Sequence, residues 1–72
     1  MSNGAIGILE TCGMASLMGA TDAMLKSAEV QICGRHGIGS GWLTVVIAGQ
    51  VAAVQTAIGI GAAEANRAGE LI

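Results

Sequence analysis

Hydrophobic periodicity divides this chain into five elements, in the order strand, helix, strand, strand, helix. Ala5-Ile6-Gly7-Ile8-Leu9-Glu10 is a short apolar run closed by Thr11-Cys12-Gly13, which reads as a strand running into a turn. Met14, Leu17, Met18, Thr21, Leu25 and Ala28 then recur at helical spacing and predict one core-facing stripe. Asp22 and Lys26 lie opposite that stripe as an i,i+4 pair with the acid first, the favourable order. Val30 to Cys33 reads as a strand, a glycine loop follows, and Trp42 to Ala48 reads as the next strand. Gln50 to Arg67 predicts a second helix with Val51, Val54, Ile58, Ala62 and Ala65 on one face, ending near Gly69. Leu71-Ile72 reads as the opening of a further strand.

The order βαββα, lacking only a last β, is a split βαβ or ferredoxin-like pattern. The expected fold class is therefore α+β, as one domain over residues 1–72 with its last strand missing. That fold carries many unrelated functions, so topology alone decides nothing about activity.

Composition adds a constraint on surfaces. Only 11% of the 72 residues are charged and 53% are hydrophobic, against roughly 25% charged in ordinary soluble domains. A chain this short has a high surface-to-volume ratio and should be charge-rich if it stood alone. Much of its surface is therefore expected to face other protein chains. The net charge of −2, with Lys26, Arg35 and Arg67 far apart, argues against a nucleic-acid partner. No Lys or Arg precedes Glu10, so no secretory signal is expected. Cys12 and Cys33 form no CxxC pair, which fits a reducing cytosol. Gly37 to Ala63 contains no ionisable side chain and is long enough to span a bilayer. Its character changes at Gly49-Gln50 from β-branched to Ala-rich, so two elements joined by a turn explain it better than one membrane helix.

The densest local signal is Gly37-Ile38-Gly39-Ser40-Gly41. Glycine is used where backbone approaches another surface closely or takes φ > 0, and Ser40 supplies the loop's one hydroxyl. A dinucleotide fingerprint needs its glycines to open a helix, and a P-loop needs Gly-Lys-Ser/Thr; here Gly41 precedes the strand residue Trp42. Cys33 and His36 stand at C-x-x-H spacing, but one chain lacks the paired ligands of a zinc site, so Cys33 is expected to be a buried structural thiol. No nucleophile triad or carboxylate pair with supporting spacing is visible, so no enzyme activity, metal or cofactor is expected.

Ala5-Ile6-Gly7-Ile8-Leu9-Glu10-Thr11 with Gly13, Ala20-Thr21-Asp22-Ala23-Met24-Leu25-Lys26-Ser27-Ala28, Ile38-Gly39-Ser40-Gly41, Gly49 and Val51-Ala52-Ala53-Val54 together resemble the hexameric shell proteins of bacterial microcompartments. The resemblance runs from Ala5 to Glu70 without gaps. It implies a homohexamer forming a flat tile, joined edge to edge with neighbouring hexamers and other shell proteins in the wall of a cytoplasmic organelle. It also implies a narrow central pore that passes small polar metabolites, with no nucleic acid, membrane or cofactor involved. By resemblance Gly39, Ser40 and Gly41 line the pore, Arg35 and His36 sit at its mouth, and Lys26 is the edge lysine, with Glu29 nearby as a possible carboxylate partner. Some shell proteins of this type are thought to hold an iron–sulfur cluster through a pore-loop cysteine, and that position here is Ser40. A serine there points to a catabolic organelle, a metabolosome, over a carboxysome.

The chain departs from the family pattern at Glu29, where Asn is common, at Gly37, where a basic residue is common, and at Ala48, where Arg is frequent. It also stops at Ile72, where a last strand and an Arg-containing edge segment should follow, so a free edge along the first strand is expected. The alternative reading is a small ferredoxin-like regulatory or ligand-binding module. Such a module forms closed oligomers, whereas shell tiles form sheets.

Overall fold

The computed structural model describes residues 4–70. The elements are β1 (Gly4–Cys12), α1 (Met14–Ser27), β2 (Val30–Gly39), β3 (Trp42–Gln50) and α2 (Val51–Glu70), the order read from periodicity. Leu71-Ile72 lie outside the described residues. The three strands form one antiparallel sheet in the order β1-β3-β2. Pairing on both sides buries the middle strand most deeply: Val45 and Ile47 of β3 are fully buried.

Strand β1 alternates as a strand covered on one face should. Gly7, Leu9 and Thr11 are buried, while Ile6, Ile8 and Glu10 are exposed. The buried side is the helix side, because a Cβ at Gly7 would lie 2.8 Å from Val54 Cγ1 and Ile58 Cγ1 of α2. Helix α2 thus packs over β1, with α1 beside it and the opposite sheet face open. Among the described residues β1 is an edge strand, as expected from the chain's pattern.

The core stripes of both helices differ from those that periodicity predicts. In α1 the buried residues are Ser16, Leu17, Ala20 and Met24, whereas Met14, Met18 and Leu25 are 57%, 61% and 48% exposed. In α2 Val54, Ala57 and Gly61 are buried, Ile58 and Ala65 are half-buried, and Val51 and Ala62 are exposed. The cause is distance. Each helix must approach both the sheet and its neighbour, so small residues (Ser16 and Ala20 on α1, Ala57 and Gly61 on α2) share the packed face with Leu17, Met24 and Val54, while Met14 and Met18 turn outward. A Cβ at Gly61 would lie 2.7 Å from Met24 Sδ and 3.2 Å from Leu9 Cδ2, which shows how closely the three elements meet. Where α1 and α2 face each other, the Glu64 side chain lies over Gly19, at 3.6 Å from where its Cβ would be. Arg67 donates hydrogen bonds to the Glu64 carboxylate and holds it below the usual carboxylate range.

The strands also run longer than predicted. β2 continues to Gly39 instead of ending at Cys33, and β3 reaches Gln50. Cross-strand pairing carries these glycine-rich segments without side-chain signals. No described helix is long and apolar enough to cross a membrane.

Two glycines of α2 should respond oppositely to alanine. At Gly59, where nothing lies within 4 Å of an added Cβ, alanine should stabilise by up to about 1 kcal/mol through helix propensity. At Gly61 the same gain is opposed by overpacking against the buried Met24, a cost of about 1–3 kcal/mol. Urea unfolding should therefore show Gly59→Ala more stable than wild type and Gly61→Ala less stable.

Candidate functional site at the hairpin tip and the end of α1

The glycine-rich segment forms the tip of the β2–β3 hairpin. Ser40 and Gly41 are the two residues between the strands, at φ 54° and 82°, and Gly39 before them is at φ 92°. Positive φ at both central residues is the sign pattern of a type I′ turn, whose twist matches that of the flanking strands. Gly39 and Gly41 adopt this conformation without Cβ strain. Ser40 is the only non-glycine residue at positive φ among those described. All three are exposed, and nothing lies within 4 Å of a Cβ added at Gly39.

The tip is braced from behind. The Gly13 N–H donates to the Gly41 carbonyl at 2.9 Å, and Gly13 takes φ 100° to present it. The Thr11 hydroxyl in turn donates to the Gly13 carbonyl at 3.5 Å. Gly13 therefore fixes the turn against the β1–α1 junction, a role that its sequence neighbourhood marks only as a strand end.

Pairing along β2 shifts register twice, between Ile32 and Gly34 and between Gly37 and Gly39. Cys33 is the extra residue at the first bulge. It is exposed, which corrects the expectation of a buried structural thiol; it follows Ile32, which faces the helices, and shares the open-side place with Gly34. Ordinary strand alternation separates Arg35 from His36. Arg35 pairs with Val45, whose side chain lies under the helices, and His36 pairs with Thr44 on the open side. The His36 ring folds back along its strand, its Nε2 lying 3.5 Å from where a Cβ of Gly34 would be. Both side chains are exposed, but on opposite faces of the sheet.

The predicted edge residues lie far from the tip along β2. Lys26 is in the last turn of α1, and its Nζ lies 3.4 Å from Asp22 Oδ2, the i,i+4 pair expected from the sequence. The two side chains are 75% and 67% exposed, so Lys26 carries no core packing. Its position also complements the partial negative charge at a helix C-terminus. Glu29 is exposed just beyond the helix, and its backbone carbonyl would lie 3.0 Å from a Cβ at Gly49. Glycine at 49 is what lets β3 pass the Glu29 backbone.

The chain as a whole has counterparts among known proteins. The pattern of the BMC domain family matches residues 5–72. The chain belongs to that family. It is 51% identical over 71 residues to the carboxysome assembly protein CcmO of Synechocystis sp., covering 99% of this chain and 24% of CcmO. It is 45% identical over 71 residues to the bacterial microcompartment shell protein PduA of Citrobacter freundii, covering 99% of this chain and 76% of PduA. A solved microcompartments protein from Desulfitobacterium hafniense superposes with a TM-score of 0.83 at 36% identity, covering 89% of this chain and 36% of that one. The chain thus spans about a quarter of CcmO and three quarters of PduA. The α+β BMC domain fold matches this solved neighbour. These relatives are structural shell and assembly proteins, so membership favours the shell reading over a regulatory module.

The turn geometry has a measurable cost. Alanine at position 41 would be held at φ 82°, a conformation costing L-residues about 1–2 kcal/mol. Gly41→Ala should lower unfolding stability by about that amount, with Trp42 fluorescence as the reporter, whereas Ser40→Gly should not.

Proposed function

We propose that this chain is a structural, pore-forming subunit of a bacterial microcompartment shell. Residues 1–72 act as one shell domain, six copies form a flat hexamer, and hexamers tile edge to edge with one another and with other shell proteins. The organelle is cytoplasmic, and the subunit performs no catalysis. Membership of the BMC domain family supports the shell role. The observation that carries the pore is the hairpin tip: Ser40 held between two glycines at positive φ, exposed, and braced through Gly13.

Six copies of a loop meet on an axis only where neighbouring side chains do not collide. Gly39 and Gly41 satisfy that requirement on both sides of Ser40. Six Ser40 hydroxyls and the adjacent backbone N–H groups then form a polar ring. Such a ring selects by diameter and by its hydrogen-bonding groups, so it favours small hydroxylated or anionic metabolites over apolar ones of equal size. Arg35 and His36 stand at the pore mouth, one on each side of the sheet, and the Arg35 charge draws anions toward the opening.

The tile edge is assigned to Lys26 and Glu29. Lys26 lies along its counterpart in the next hexamer, its apolar stem packed and its ammonium donating to backbone carbonyls. Glu29 supplies a carboxylate to that ammonium. A single surface ion pair is worth only about 0–1 kcal/mol, but each tile repeats its edge contacts six times, so small losses accumulate across a sheet.

Ser40→Leu should narrow and dehydrate the pore while leaving the fold intact, since the residue is exposed. Flux of a small polar metabolite through assembled shells should fall; unchanged flux through intact shells would remove Ser40 from the route. Lys26→Ala should leave the hexamer and its melting temperature nearly unchanged while depleting extended sheets, read by size-exclusion chromatography beside electron microscopy. Sheets as abundant as wild type would count against the edge assignment.

A further inference from the structure

Arg35 and His36 are consecutive in sequence and lie on opposite faces of β2. Six copies arranged as proposed above therefore carry two separate rings of basic side chains around the hairpin tips. The rings differ in kind. A guanidinium is charged at every physiological pH, whereas an imidazole changes its charge between about pH 5 and pH 8. One mouth is permanently cationic, and the other is cationic only on the acid side.

The surroundings of His36 decide what that charge can do. His36 is exposed and pairs with Thr44 of β3, and Glu10 of β1 pairs with the same Thr44 from the other side. Glu10, Thr44 and His36 thus form one row across the open face. The other titratable groups on that face, among the described residues, are the thiols of Cys33 on β2 and Cys12 on β1. The ion pairs among the described residues are Lys26–Asp22 and Arg67–Glu64, so Arg35, His36 and Glu10 are not engaged within their own chain. The His36 ring folds back over Gly34, its Nε2 3.5 Å from where a Cβ of that residue would stand. Glycine at 34 leaves room for this, and it carries the ring away from the tip, so His36 does not obstruct the aperture at Ser40. Its rung lies two residues along β3 from the Gly39–Trp42 rung that closes the hairpin, about 7 Å at the rise of a strand. That is within one Debye length, about 8 Å at physiological ionic strength. The influence of His36 on a passing solute is electrostatic, not steric.

We infer that His36 makes the pore's charge selectivity depend on pH: on acidification small anions pass faster, while neutral solutes of equal size pass at an unchanged rate. The inference rests on the pore reading above and adds regulation to it. The sign follows from the chemistry of the ring. Imidazole is neutral at higher pH and cationic at lower pH, so acidification adds up to six positive charges at the open-side mouth. A cationic constriction concentrates anions at its entrance, and a neutral solute gains nothing from it. Six like charges around one axis repel, so they are acquired in succession and the response is graded. Glu10, one carboxylate per subunit on the same face, offsets part of the added charge. Arg35, on the helix side, supplies attraction that does not vary over this range.

The test measures flux through assembled shells of the full chain at about pH 8 and about pH 6. Methanesulfonate serves as an anion whose charge is constant over that range, and glycerol as the neutral solute. Light scattering checks shell integrity, and circular dichroism checks folding, at each pH. Wild-type methanesulfonate flux should rise at least about threefold on acidification, with glycerol flux level. His36→Gln should make methanesulfonate flux the same at both pH values. Arg35→Gln should lower it at both, because the permanent ring is lost, and keep the rise. A wild-type flux that is level in pH, or a rise that survives in His36→Gln, overturns the inference; the pore reading then stands as long as Ser40→Leu lowers both fluxes. If Ser40→Leu leaves both fluxes unchanged, the solutes take another route, and the pore reading falls with this inference.

Discussion

The constraint on which the rest depends is how near two helices must come to a three-stranded sheet. A core built from so few residues closes only if backbone, not side chain, sets the spacing. Gly7 on β1 and Gly61 on α2 are the contact points, each with neighbouring atoms where a Cβ would stand. Ala20 and Ala57, both fully buried, continue the same close approach. Dispersion energy rises steeply as gaps close, so a small core packed at short range can compensate for its lack of bulk. Val45, Ile47 and Met24 then fill the space that remains.

That choice determines what the surface looks like. With Ser16, Leu17, Ala20 and Met24 filling the inward face of α1, its other large apolar side chains are left outside. The exposure of Met14, Met18 and Leu25 is thus the complement of the burial of Ser16, Ala20 and Met24. A chain with few charges and an apolar exterior is poorly suited to life as a monomer. Its membership of a family of shell proteins gives that exterior a use, because a wall is made of surfaces that are meant to be covered.

Some of this was legible in the sequence and some was not, for identifiable reasons. The five elements were legible because period 2 and period 3.6 are written in residue type. The Asp22–Lys26 pair was legible because i,i+4 geometry is local. The tip was legible because Gly39-Ser40-Gly41 combines residues that tolerate positive φ with one hydroxyl. The packed faces of the helices were not, since hydrophobic periodicity weighs size and greasiness, while the helices chose closeness. The length of β2 was hidden as well: glycines carry no alternation, and a bulge leaves no mark in a single sequence. The brace from Gly13 to Gly41 joins positions 28 apart in sequence, and only the folded hairpin brings them together.

The two register shifts of β2 have a consequence best described as phase. Before the first, even-numbered residues face the helices, as Ile32 does opposite Ile47. Between the two shifts the parity is inverted, so that Gly34 and His36 turn to the open side and Arg35 to the helix side. After the second, Gly39 opposite Trp42 is back in the original phase. The strand therefore contains a short inverted window, residues 34–37, bounded by a slip and its correction. Losing the extra residue at either boundary, Cys33 or Ile38, would make the pairing continuous and leave Arg35 on the helix side and His36 on the open side. The two bulges thus act as slack in the strand, able to take up a one-residue change in length without moving the chemistry displayed on either face of the hairpin.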